Sequence, residues 1–413
     1  MNTPPLRFPE FKGDWEKKKL GELLEFKNGI NASKEQYGKG VKFINVLDIL
    51  NNEFITHDKI IGSVDVEKEI VDKYPVSYGD ILFQRSSETR EEVGSASVYL
   101  DREHTATFGG FVIRGRKIGE YEPVFLNKVL KTDISRDSIT SKSGGSTRYN
   151  VGQEILSSVE LSFPTIPEQT KIASFLTAVD EKLQALKKKQ SLLEQYKKGV
   201  MQKIFSQELR FKPARPSGGD ENGKEFAKWE VKKLGEVCDK IGDGLHGTPI
   251  YSNQSDIYFI NGNNLKNGKV EISEETKKVD FITSNKIDKG LNKNSLLISL
   301  NGTIGNIAKY NNEKVMLSKS VGYFNFKENI DFYYYVLNSD KIQNNFIAEL
   351  TGSTIKNLSL KTLRDTEIEI PCSEEQTLIA NFLSAIDEKI NHNNTQIQKN
   401  EQWKKGLLQK MFV

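Results

Sequence analysis

The chain has 413 residues, room for two to four domains at roughly 150 residues each, which excludes a single small domain. Its 59 Lys and Arg stand against 56 Asp and Glu, so a polybasic protein is excluded and any nucleic-acid face has to be local. A hydrophobic content of 37%, with 22 Phe and 14 Tyr, is enough for real cores and excludes global disorder.

In chain order, the first ten residues, MNTPPLRFPE, lack the basic-then-apolar plan of a signal peptide, and no run of about 18 apolar residues follows anywhere. A cytoplasmic protein is expected. Residues 1–167 read as a first globule, with strand-like fragments at Val41–Ile49, Asp80–Ser86 and Gly109–Gly115 and a helix at Pro123–Thr132. A long helix is expected over 168–206, a Pro/Gly-rich linker over 207–228 and a second globule over 229–374. That globule has strands at Ser255–Gly262 and Ser295–Gly302 and a helix at Phe332–Phe346, and a second long helix over 375–413 completes the chain. Both globules read as α+β with a curved antiparallel sheet.

The chain is written twice. Residues 168–183, EQTKIASFLTAVDEKL, and 375–390, EQTLIANFLSAIDEKI, share 11 of 16 positions at an offset of 207. The match resumes without a gap as EQYKKGVMQKIF (194–205) and EQWKKGLLQKMF (401–412), 8 of 12 identical. Upstream, WEKKKLGEL (15–23) and WEVKKLGEV (229–237) share 7 of 9, and GSTRYN (145–150) answers GSTIKN (352–357). Variable globules therefore alternate with constant helices.

In each constant segment the apolar residues follow a 4-3 spacing. The first carries Ile172, Leu176, Val179, Leu183, Leu186 and Leu193, the second Ile379, Leu383, Ile386, Ile390, Ile397 and Leu407. Each such seam needs a partner, and two equal seams in one chain are most economically satisfied by each other, as an antiparallel coiled coil. Asn393, Asn400, Lys197 and Lys404 fall on the seam as register-fixing positions.

No Walker A sequence, methyltransferase Asn-Pro-Pro-aromatic motif, nucleophile elbow or nuclease Pro-Asp…Glu-x-Lys pattern occurs, so no catalytic role is expected. Gly242-Asp-Gly244-Leu-His-Gly247 fits G-x-G-x-x-G, but Thr248-Pro249 stands where a nucleotide-binding helix would run, leaving a turn or a close-approach loop. Cys238, Cys372, His57, His104, His246 and His392 are scattered, so reduced thiols and no metal site are expected. Side chains able to read base edges or grip phosphates gather in the globule loops: Gln84, Arg85, Ser86, Arg90, Lys142, Arg148, Tyr149 and Asn150 in the first, and His246, Tyr251, Asn301, Thr303, Lys356 and Asn357 in the second.

With its twice-written EQ..IA.FL.A.DEK…EQ.KKG..QK.F, the preceding W…KLGE and the GST…N signals, the chain resembles the specificity subunit of type I restriction-modification systems over nearly its whole length. GDGLHGTPIY (242–251), LLISLNGTIG (296–305) and GSTIKNLS (352–359) are similar to recurrent phrases of that family's target-recognition domains, whereas FQRSSETREEVG (83–94) departs from the SLNGTIG phrase. The resemblance implies a non-catalytic reader of double-stranded DNA, each globule reading half of a bipartite asymmetric site while the helix pair sets the spacer. It also implies docked methyltransferase subunits, two in number, that use S-adenosylmethionine to methylate adenine, and restriction subunits that use ATP and Mg, with no cofactor in this chain. The alternative open to the sequence is a coiled-coil scaffold whose globules bind proteins without DNA specificity.

Overall fold

The two repeated segments form the longest elements, helices Ile166–Phe205 and Ser373–Lys410. Pro167 sits in a first turn, where a missing N–H costs nothing, and Glu168 and Glu375 place carboxylates at the positive ends of the helix dipoles. Past the first helix Gln207 turns left-handed with φ 61°, and Leu209 N donates to Lys203 O at 2.9 Å, satisfying a terminal carbonyl. The computed structural model describes residues 3–145, 148–213, 225–280, 289–351 and 356–413. Half of the expected linker (214–224) and parts of the two GST…N signals (Ser146, Thr147 and 352–355) lie outside the described residues. Among the described residues no helix is long and apolar enough to cross a membrane.

The chain divides into two compact units: Met1–Lys187 with Thr395–Val413, and Lys188–Asn394. Both long helices are thus cut near their middles, and each unit holds one globule, the first half of the helix that follows it and the second half of the other helix.

In the first unit a four-stranded antiparallel sheet runs in the order Leu24–Asn28, Val112–Lys117, Ile81–Gln84, Ala96–Val98. A second sheet pairs Tyr37–Ile44 antiparallel with Ser63–Val64 and parallel with Thr107–Phe108. The repeated W…KLGE signal has a structural cause. Glu16–Lys19 pairs with Glu160–Phe163, the strand leading into the long helix, and the following turn is capped by Lys19 N donating to Glu22 Oε1 at 3.1 Å. Trp15 packs in one core with Phe125 and with Phe412 from the end of the second helix, at ring separations of 5.9 and 6.4 Å. Burying each such ring contributes about 1.5–3 kcal/mol.

The second unit repeats this plan with different lengths. Its four-stranded sheet runs Cys238–Asp243, Val321–Phe326, Ser295–Ser299, Ile307–Lys309, and Ile257–Ile260 pairs antiparallel with Lys278–Val279 and parallel with Val315–Leu317. Glu230–Lys233 pairs with Glu367–Ile370, Lys233 N donates to Glu236 Oε2 at 2.8 Å, and Trp229 meets Phe205 and Phe332 at 6.5 Å each.

Within each unit the helix halves run antiparallel. In the first, Asp180 pairs with Lys404 at 2.7 Å and Lys187 with Glu401 at 2.7 Å. In the second, Asp387 pairs with Lys197 at 2.6 Å and Asn393 Nδ2 donates to Gln190 Oε1 at 3.0 Å. Ile172, Leu176, Val179, Leu183, Ile379, Leu383, Ile386, Ile397 and Leu407 are buried, whereas Leu186, Leu193 and Ile390 are half-buried. Asn400 Nδ2 turns back to Gln396 O of its own helix.

Two local expectations need correction, and the sheets an addition. Residues 41–49 are not one strand: it ends at Ile44, and Asn45 N donating to Asp48 Oδ2 at 2.7 Å opens the helix Val46–Asn51. The expected helix 332–346 is two, Ile330–Leu337 and Asp340–Ala348, broken at Asn338-Ser339. Each globule has the expected antiparallel sheet and adds to it a small mixed sheet with one parallel pair.

Candidate nucleic-acid interface

In the second globule four loops that leave strand ends converge on one cleft of about 740 Å³. It is lined by His246, Asn261, Asn263, Asn301, Lys319 and Ser320, together with Phe259 and the loop 245–248. Hydrogen bonds from strand to loop fix the frame: Leu245 N to Leu317 O at 2.8 Å, Ser318 N to Ile260 O at 3.0 Å and Leu300 N to Ser320 O at 2.9 Å. Gly244 is required by close approach, since a Cβ there would collide with the carbonyl of Leu317. The G-x-G-x-x-G run is therefore a close-approach loop leaving a strand, with no helix behind it.

Of the six residues expected in this globule, His246 and Asn301 line the cleft. His246 Nε2 lies 2.6 Å from Asp243 Oδ2, which orients an otherwise exposed ring. Thr303 Oγ1 donates to Gly262 O at 3.1 Å, bracing the rim, and Asn357 forms a bridge to Asn301. Tyr251 lies edge-on to Phe259 with ring centroids 6.2 Å apart, and Lys356 is exposed beside Asn357. Asn261, Asn263, Lys319 and Ser320 escape sequence reasoning, although Asn261 directly follows the strand Ile257–Ile260, Ser320 directly precedes Val321–Phe326, and Asn263 and Lys319 stand within three residues of a strand end.

Matching backbone bonds identify the corresponding face of the first globule. Ile30 N donates to Phe108 O at 3.0 Å, Gly109 N to Ile44 O at 3.0 Å and Arg85 N to Phe111 O at 2.8 Å, as Leu245, Ser318 and Leu300 do in the second. Asn31 therefore stands where His246 does, Asn45 where Asn261, Leu47 where Asn263, Ser86 where Asn301, Gly110 where Lys319 and Phe111 where Ser320. Arg85 is exposed, with Nη1 donating to Gly110 O at 3.3 Å, and Ser86 Oγ donates to Asn150 Oδ1 at 2.7 Å.

The other candidates of the first globule do different work. Gln84 is only 3% exposed and its Nε2 donates to Ser86 O at 3.1 Å, so the expectation of a base-reading loop residue is corrected: it ends an inward-facing strand. Tyr149 is half-buried against the core. Arg90 Nε donates to Thr140 O at 3.3 Å, Lys142 Nζ to Ser158 O at 3.4 Å, and Arg148 faces Glu88 across 3.8 Å at the surface. The departure at 83–94 is an insertion on an unchanged frame. Gln84 N to Ser95 O and Gly94 N to Gln84 O close the same pair of bonds that Ser299 makes with Asn306 and Gly305, around a loop four residues longer, since 94 − 84 exceeds 305 − 299 by four.

These features define a duplicated protein in which two structurally equivalent modules carry different side chains on one shared face. Comparison with known proteins makes the class specific. A model of the type I restriction modification DNA specificity domain matches residues 12–195 and again 227–402, and the chain belongs to that family. It is 27% identical over 413 residues to a putative type I restriction enzyme MjaX specificity subunit of Methanocaldococcus jannaschii, covering 97% of this chain and 93% of the relative. It is 25% identical over 242 residues to the EcoKI specificity subunit of Escherichia coli, covering 55% and 47%. The fold is similar to the crystal structure of a type I restriction-modification S subunit from M. genitalium, with a TM-score of 0.58, 17% identity and coverage of 100% and 99%. A structure described under complex assembly and conformational transition of the type I R-M system gives a TM-score of 0.57 at 16% identity over 99% of both chains.

Proposed function

We propose that this chain is the non-catalytic DNA reader of a type I restriction-modification complex, each globule reading one half of a bipartite asymmetric site. The observation that carries this reading is the repeated frame. Equivalent backbone bonds hold His246, Asn261, Asn301 and Lys319 on one face of the second globule, and Asn31, Asn45, Ser86 and Gly110 on the same face of the first. Asn side chains can bond adenine through two atoms, Arg85 can do the same to guanine, and Lys319 suits phosphate. Different residues on one frame read different bases, which makes the site asymmetric.

In the same reading the helix pair sets the distance between half-sites and docks two methyltransferase subunits. Those subunits bring S-adenosylmethionine, and restriction subunits bring ATP and Mg. Inserting seven residues after Lys187 and seven after Asn394 adds about 10 Å to both helices, roughly three base pairs at 34–36 Å per 10–10.5 pairs. The spacer should grow accordingly while both half-sites stay the same.

The test is an exchange of residues 229–371 for the corresponding segment of another family member, followed by mapping of the bases methylated by the assembled complex. One half-site should change and the other should persist. Alteration of both halves, or of neither, would refute the division of labour.

A further inference from the structure

One property of the shared face differs in kind between the two globules. In the second, the positions flanking the cleft are polar, Asn263 and Ser320. In the first, the same backbone positions hold Leu47, 65% exposed, and Phe111, 62% exposed. Single exposed apolar groups are common on protein surfaces; these two are set apart because their counterparts in the second globule line its polar cleft.

The surroundings of Phe111 narrow its role. Its residue is held in a tight turn in which Val112 N donates to Gly109 O at 2.8 Å, and its carbonyl accepts from Arg85 N at 2.8 Å, so the ring stands on a fixed backbone. The turn is packed closely: a Cβ on Gly110 would collide with the Asn31 side-chain oxygen, and one on Gly109 would come within 3.2 Å of Asn45 Oδ1. The turn that carries Phe111 is thus bordered at Gly109 and Gly110 by Asn31, Asn45 and the Arg85 guanidinium, groups that pair with base edges. The one methyl group that an unmodified base presents in the major groove is the C5-methyl of thymine.

Resting on the reading of each globule as a half-site reader, we propose that Phe111 determines specificity in the first half-site by packing on the methyl group of one thymine, flanked by polar readout from Arg85 and Asn31. The second globule, with Ser320 at that position, makes no such contact.

The experiment uses the full chain assembled with its methyltransferase subunits and duplexes carrying the mapped site, in which each thymine of both strands is replaced singly by deoxyuridine. That change removes one methyl and leaves the pairing intact. One position in the first half-site should lose about fourfold in affinity, and the position in the second half-site that faces Ser320 should not respond. Phe111→Ala should bind the unmodified duplex with a similar loss and become indifferent to deoxyuridine at that position, whereas Phe111→Leu should retain part of the response. Indifference of the wild-type complex to every deoxyuridine, or an unchanged response in Phe111→Ala, would overturn the proposal. So would a loss of subunit assembly in Phe111→Ala without any methyl effect, which would make the ring a protein contact. A complex that still discriminates base changes in both half-sites under these outcomes keeps the half-site reading, and one that discriminates neither refutes it.

Discussion

Replacing Arg210 by Met should destabilise the second unit by about 3 kcal/mol. Glu375, in the first turn of the second long helix, is fully buried, and its two carboxylate oxygens accept from Arg210 Nε and Nη2 at 3.1 and 2.6 Å. Removing the guanidinium leaves that carboxylate buried, a change that costs about 3–5 kcal/mol when a buried pair is broken. Trp229 Nε1 still donates at 3.1 Å and the helix N-terminus still favours negative charge, which places the loss at the low end. For a unit of this size each kcal/mol moves the midpoint by about 2–4 °C, so calorimetry of the full chain should show a transition lowered by roughly 6–12 °C. The matched change Arg7→Met should act on the first unit, where Arg7 grips Glu168 through two bonds of 2.7 Å. Adding Glu375→Met to Arg210→Met should restore most of the loss, since an apolar pair can replace a buried ion pair at little cost. A shift below about 1 kcal/mol for Arg210→Met, or a double variant no more stable than the single, would refute the reasoning.

Further outcomes follow from the same structure. Burial opposes ionisation of Glu53, but Lys131, Lys128 and Lys404 together hold its carboxyl below the ordinary carboxylate range. Its stabilising contribution is therefore complete above its unfolded value and lost as pH falls through the lowered one; acid unfolding of Glu53→Gln should show a weaker pH dependence in that window than the parent. Asn301→Ala should cost about 1–3 kcal/mol of base discrimination in one half-site, and Arg85→Ala a similar amount in the other, read by competition binding with single-base variants. Equal losses across both half-sites for either variant would contradict the separation of the two faces. Phe412→Ala should cost about 3–5 kcal/mol, measured by urea unfolding, because its ring fills the core between Trp15 and Phe125.

The duplicated parts were legible because their residues answer to local and repeated constraints. A 4-3 apolar spacing reads as a helix seam whatever surrounds it, and Trp15 with Phe412, or Trp229 with Phe205, are repeated in sequence because they meet in space. The division of each long helix between two units left no mark on the spacing, since a seam looks the same on either side of the boundary. Candidate reading residues were legible only as chemistry. Gln84 has the right functional groups, yet it ends a strand whose four residues are all buried. Phe111 follows two glycines and precedes an apolar run, so it reads as core until the turn at Gly109 fixes where its ring stands. Asn31 carries no sequence signal of its own and becomes comparable to His246 only through backbone bonds between residues distant in the chain, whereas KFIN (42–45) and YFIN (258–261) already match Asn45 with Asn261 in sequence.

The proposed role of this chain is to direct a modification complex to a two-part DNA site. It is tested most directly by mapping methylated adenines across the genome in cells with intact partner subunits, with and without the gene for this chain. A gapped bipartite motif, methylated when the gene is present and bare when it is removed, is the expected result. An identical map in both strains, with the partner subunits shown to be expressed, would contradict it.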